Sequence, residues 1–134
     1  MIKDLKELSG LFYLRIALGL MFLVHGFNKL QGLLSGGEQP TGMFVNFFGE
    51  AIGPVMAWLV ALVEFFGGIF LILGLLTWMS SFLLAGVMAG AIVLVHSGNF
   101  AAITQHLVFI AGLVALMKHK TTELSLDEKL KLKF

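Results

Sequence analysis

Four apolar runs constrain this chain more than any other feature. They read LFYLRIALGLMFLVHGFNKL over 11–30, PVMAWLVALVEFFGGIFLILGLL over 54–76, WMSSFLLAGVMAGAIVLVHS over 78–97 and AAITQHLVFIAGLVALM over 101–117. A helix needs about 20 apolar residues to cross a hydrocarbon core of about 30 Å. Three runs reach that length and the fourth stands at the short end of the range. In lipid, only helices and closed barrels satisfy their own backbone polar groups. The runs are continuous rather than alternating, and the chain is too short for a typical barrel. The expected fold is therefore all-α, an integral membrane four-helix antiparallel bundle forming one domain over 1–134.

Composition supports the same class. Of 134 residues, 58% are hydrophobic and 13% charged, too few charges to coat a soluble body of this size. High apolar content and a net charge of +1 exclude disorder, and with no basic excess a nucleic-acid partner is excluded too. The absence of cysteine excludes disulfides, thiol redox chemistry, cysteine-held iron–sulfur clusters and c-type haem attachment. Lys3 and Lys6 resemble the basic start of a signal peptide. No small-x-small cleavage site follows them, and Arg15 interrupts the apolar stretch, so the first run is expected to be retained.

The connections are unequal. Helices 2 and 3 meet around Thr77, and helices 3 and 4 join near Gly98-Asn99-Phe100 in a hairpin. The long 31–53 connection places Met43, Phe44, Phe47, Phe48 and Ile52 at helical spacing. It reads either as a short helix lying in the membrane interface or as a loop packed over the helix ends. The tail SLDEKLKLKF reads as a short surface helix. Lysines gather at both termini, whereas the 31–53 loop has Glu38 and Glu50 and no Lys or Arg. By the positive-inside rule both termini are expected in the cytoplasm, with the protein in the inner membrane.

Ionisable residues inside apolar spans are costly and usually face a bundle interior. Arg15, His25 and Lys29 lie in the first span, Glu64 in the second, His96 in the third and Gln105-His106 in the fourth. Arg15, Gly19, Phe22, Gly26 and Lys29 form one helical stripe, and Glu64, Gly67, Leu71 and Gly74 another. Small residues in a stripe let backbones approach, so helix 1 against helix 2 is the expected heart of the bundle. Either Arg15 snorkels or it pairs with Glu64. Gly86-x-x-x-Gly90 in helix 3 is a common packing pattern and weak evidence for a homo-oligomer. At about 1.5 Å per residue, Glu64 falls near mid-membrane, Arg15 in the inner half, and His25, His96, His106 and Lys29 in the outer half. No H-x-x-x-H pair supports a metal site, and none is assigned. A bis-histidine haem between His25 and His106 is a competing reading. A quinone site needs an apolar slot, hydrogen-bond donors and a proton source, which these residues supply.

The residues also resemble a known family. Arg15-x-x-Leu18-Gly19-x-x-Phe22-Leu23-x-His25-Gly26-x-x-Lys29, then Glu64-x-x-Gly67-Gly68-x-x-Leu71-x-Leu73-Gly74-Leu75, then Ser125-Leu126-Asp127, look like the DoxX family of small four-helix membrane proteins. The resemblance runs over about 11–130. It implies a link to quinone metabolism and to oxidative or thiol stress responses, often in complexes with soluble redox proteins. It places Arg15, His25, Lys29 and Glu64 at the family's polar positions. Two departures stand out: Thr77-Trp78 replaces an arginine often found after the Gly-Leu pair, and Gln105-His106 replaces a glutamate early in helix 4.

The leading expectation is a quinone-linked membrane redox protein, a subunit or accessory of an oxidoreductase complex. Glu64 and His25 are expected to handle protons, and Arg15, Lys29, His106 and His96 to hold the bound molecule. The rival readings are a non-catalytic membrane scaffold and a transporter of protons or small solutes.

Overall fold

The computed structural model describes residues 10–35, 39–94, 100–118 and 125–130. Among these, helices α1 (Gly10–Leu34), α2 (Gln39–Leu73), α3 (Thr77–Leu94) and α4 (Phe100–Lys118) build the bundle, followed by a single turn, α5 (Leu126–Lys129). Stretches 10–34, 44–73 and 100–118 are long and apolar enough to span a membrane, and Thr77–Val93 is a shorter apolar helix. The expected helical membrane bundle is thus the observed fold.

Helix α1 lies most intimately against α2, and α3 pairs with α4. The α1–α2 contact is made by backbones. A methyl group added at Gly26 would fall on Phe65 N, and one at Gly19 would lie 2.9 Å from Gly68 O. From the opposite side, Gly68 meets the Leu23 backbone. The glycine stripes read from the sequence therefore mark the interface, with one refinement. Gly68 faces α1, whereas Gly67 packs against Leu84 of α3. Leu18, Phe22, Leu71, Leu84, Met88, Leu113 and Leu116 form the apolar core between the helices.

The long connection resolves into a helical arm. Helix α2 is broken at Gly49 (φ 87°, ψ 172°), a conformation essentially confined to glycine. Beyond that corner Gly53 lies on the backbone of Phe44 and Val45. In a straight helix residues 45 and 53 would stand roughly 12 Å apart, so the arm 39–48 doubles back sharply. The straight part of α2 begins just after Gly49, and Pro54 sits one turn inside it.

At the other end of the bundle, α2 closes in a Schellman turn. Leu75 N donates to Phe70 O at 2.8 Å and Gly74 N to Leu71 O at 3.1 Å, with Gly74 left-handed at φ 68°. Leu76 and Thr77 then start α3. The Asp127 carboxylate accepts both their N–H groups, at 2.6 and 2.8 Å. A helix start leaves donors unpaired and is electropositive, so a buried carboxylate from 50 residues downstream caps it. Asp127 N in turn donates to Gly74 O at 2.8 Å, and Ser125 Oγ caps α5 at Glu128 N. The tail is therefore not merely a surface helix: Ser125 and Asp127 are buried in the bundle end.

Removing this cap leaves the buried Thr77 N–H without an acceptor, at a cost of about 1–3 kcal/mol, and the half-buried Leu76 N–H at a smaller one. Asp127→Ala is expected to lower the thermal unfolding midpoint in detergent markedly, and Asp127→Asn to lower it less, because one oxygen acceptor remains.

Candidate functional site

The same contact that packs α1 on α2 positions a charge pair. Gly26 lies on the Glu64–Phe65 backbone, and Lys29 follows one turn later on the same stripe. Its Nζ donates to Glu64 Oε2 at 2.6 Å. The Glu64 side chain is 2% exposed and that of Lys29 33%. An isolated carboxylate in an apolar bundle is strongly disfavoured, and an ammonium in hydrogen-bond contact offsets that cost. The partner of Glu64 is thus Lys29, not Arg15.

The pair stands in the wall of a cavity of about 690 Å³. This size suits a small organic molecule, and an apolar lining with a few convergent polar groups is the usual character of such sites. His25 and Lys29 come from α1, Glu64 from α2, Gln105 and His106 from α4. In His25 and His106 the ring Nδ1 lies 2.8 Å from the carbonyl of the residue four earlier, Met21 and Ala102. A carbonyl only accepts, so Nδ1 carries the hydrogen and a neutral ring bears its lone pair on Nε2. His106 also stacks edge-on against Phe109, with ring centroids 6.3 Å apart.

The rest of the lining is apolar. Phe44, Phe47 and Phe48 of the doubled-back arm line the cavity, with Phe44 and Phe48 stacked at 6.5 Å. Two readings of the 31–53 connection were open from sequence. Residues 39–48 are helical, and their phenylalanines pack over the site. Gly86 and Gly90 of α3 line the cavity as well, and nothing stands within 4 Å of where their side chains would be. This Gly-x-x-x-Gly pair therefore makes room rather than helix contact.

Of the residues singled out from sequence, His25, Lys29, Glu64 and His106 are brought together. Arg15 is not. It is fully buried near the opposite end, its Nη1 against Gly74 and its guanidinium 5.3 Å from the Phe12 ring centroid. Fourteen residues separate Arg15 from Lys29, roughly 21 Å along a helix, so one stripe serves two ends of the bundle. His96 lies outside the described residues. Gln105, singled out with His106 in the fourth span but given no role, also lines the cavity, and sequence reasoning missed Phe44, Phe47 and Phe48 as walls of the site. The aromatic spacing in the connection was the available signal.

Removing one partner of the pair should cost more than removing both. Lys29→Met leaves Glu64 buried alone, a loss of about 3–5 kcal/mol for a wholly buried pair, reduced here because a third of the Lys29 side chain is exposed. The double variant Lys29→Met/Glu64→Leu is expected to regain most of the lost stability in a thermal unfolding series. Additive losses would show that the pair is not coupled.

Comparison with known proteins now bears on this arrangement. A Bacillus subtilis (strain 168) protein named "Putative oxidoreductase CatD" is 33% identical to the chain over 87 residues, 64% of this chain and 59% of that protein. The chain thus spans less than two thirds of the length of this relative. No solved structure matches. The DoxX family model matches residues 10–97, which hold α1, α2 and α3 and so both halves of the Lys29–Glu64 pair. The chain belongs to the DoxX family.

Proposed function

We propose that this protein is the membrane subunit or accessory of a quinone-linked oxidoreductase, with the cavity as the quinone head-group site. One observation carries the reading: a half-buried charge pair, two histidines and a glutamine converge on one aromatic-walled cavity inside an apolar bundle. The similarity to a protein named as an oxidoreductase supports it.

The chemistry follows from the donors. Reducing a quinone to its hydroquinone adds one electron and one proton at each oxygen. The Lys29 ammonium donates a hydrogen bond to one carbonyl oxygen, and the Gln105 amide is a donor for the other. In hydroquinone oxidation the Glu64 carboxylate takes one hydroxyl proton and His25 Nε2 the other, while the two electrons leave to the electron partner. Quinone reduction is the reverse and starts from protonated Glu64 and His25. The chain has no cysteine to hold an iron–sulfur cluster, so a soluble redox protein is the proposed electron partner. His96 and Arg15 have no part in this scheme.

In a bilayer we place the protein in the inner membrane, both termini cytoplasmic and the cavity toward the outer face, following the lysine distribution. The native chain lacks cysteine, so single-cysteine variants test this cleanly. Ser35→Cys is expected to react with an impermeant maleimide in whole spheroplasts, and reaction only after lysis would reverse the orientation.

For the site itself, quinone binding to the purified protein in detergent is the direct measurement. Glu64→Gln and His25→Ala are each expected to weaken affinity about tenfold or more, equal to about 1.4 kcal/mol. Unchanged affinity in both variants removes the assignment. If Glu64→Gln instead lowers recovery of a membrane complex and leaves quinone affinity intact, the scaffold reading takes its place.

A further inference from the structure

The two directions out of the charge pair are chemically unlike. Toward the end capped by Asp127, each of the four helices passes through a stretch with no polar side chain: 16–24 in α1, 65–73 in α2, 82–93 in α3 and 107–117 in α4. Contacts tie these stretches to a common depth. Gly68 lies on the Leu23 backbone, Gly67 beside Leu84 and Gly112 beside Leu18. The Phe22 and Phe109 rings meet edge-on beneath the cavity, with centroids 6.4 Å apart. Leu18, Phe22, Leu71, Leu84, Leu113 and Leu116 are buried there and fill the space between the helices.

A proton crosses a protein along side chains or waters that can accept it. A buried water needs two to four polar partners, and apolar interiors stay dry. Helix backbone groups are spent on one another, so this band offers no partner. In the other direction the polar groups reach accessible surface. His25 and Gln105 are exposed, and so is 33% of the Lys29 side chain. Lys29 also stands near the end of α1, which closes at Leu34 beside the arm.

We infer that the Lys29–Glu64 site exchanges water and protons with one face of the membrane only, the face of the arm. Phe22, Leu71 and Leu84 insulate it from the face of the tail. Joined to the quinone reading, on which this consequence rests, each hydroquinone oxidised gives two electrons to the redox partner. Its two protons leave through Glu64 and His25 to the arm face, whichever face the partner occupies. Turnover is then vectorial in protons, and the bundle is no through route for a solute.

The test uses the full chain, which has no native cysteine to interfere. Met21→Cys and Val60→Cys each put a thiol in the cavity wall. Ser35→Cys marks the arm face and Leu130→Cys the tail face. Each variant meets a charged, impermeant trimethylammonium methanethiosulfonate in sealed right-side-out vesicles and in sealed inverted ones. The two marker variants show which face is outward in each preparation. Met21→Cys and Val60→Cys are expected to react about tenfold faster or more where Ser35→Cys reacts than where Leu130→Cys does, because the thiolate is the reactive form and forms only where water reaches the sulfur. Val60→Cys serves alone if Met21→Cys does not fold. Equal rates from the two faces, faster reaction from the tail face, or no reaction from either overturns one-sided access. The reagent needs no quinone, so the two readings fail separately. If the thiols react from the arm face and wild type binds no quinone, the access stands and the quinone reading falls with its proton balance. If they react from both faces while quinone still binds, the quinone site stands and one-sided access falls.

Discussion

Where Gly26 meets the backbone of Glu64 and Phe65, α1 and α2 are too close for any side chain to stand between them. That approach is repeated at Gly19 and Gly68, so it sets both the distance and the register of the two helices. Association of helices in lipid draws little on the hydrophobic effect and depends on close van der Waals packing. Glycine is the residue that permits it. Once the register is set, Lys29 Nζ arrives 2.6 Å from Glu64 Oε2 without further adjustment. The charge pair is thus a consequence of the backbone contact as well as a support for it.

The bundle divides its polar groups between its two ends. At the α2–α3 turn, Arg15, Thr77, Ser125 and Asp127 are buried, and Asp127 satisfies the start of α3. That end closes the fold. At the other end, Lys29, Glu64, His25, Gln105 and His106 border open volume under an aromatic arm. A polar group in a membrane protein needs a partner. At the closed end backbone and side chains provide it, and at the open end Lys29 and Glu64 partner each other beside the cavity. The first set explains why the helices hold together, and the second where chemistry can occur.

Much of this was legible before any coordinates. The four apolar runs announced four helices, and the Gly19–Gly26 stripe announced the face of α1 that meets α2, because helical periodicity determines which residues share a face; on α2 the contact falls on Gly68 rather than on Gly67. His25, Lys29, Glu64 and His106 were marked by their cost in hydrocarbon. What periodicity does not carry is position along the axis relative to another helix. Arg15 and Lys29 share a stripe, yet Arg15 reaches Gly74 while Lys29 reaches Glu64. The Asp127 cap joins residues 50 positions apart, and no local pattern ties a carboxylate to so distant a helix start.

The sequence by itself determined the class of protein, the number of helices, the faces on which two of them meet and a short list of costly polar residues. Each follows from transfer of side chains out of water or from helical spacing, which are local properties of the chain. Tertiary structure alone decided which charges pair, that Gly86-x-x-x-Gly90 encloses space rather than a neighbouring helix, and that the Phe44–Phe48 segment turns back at Gly49 to wall the cavity. A cavity is volume that no side chain fills. It belongs to the arrangement of several helices at once, so it leaves no signature in any one of them.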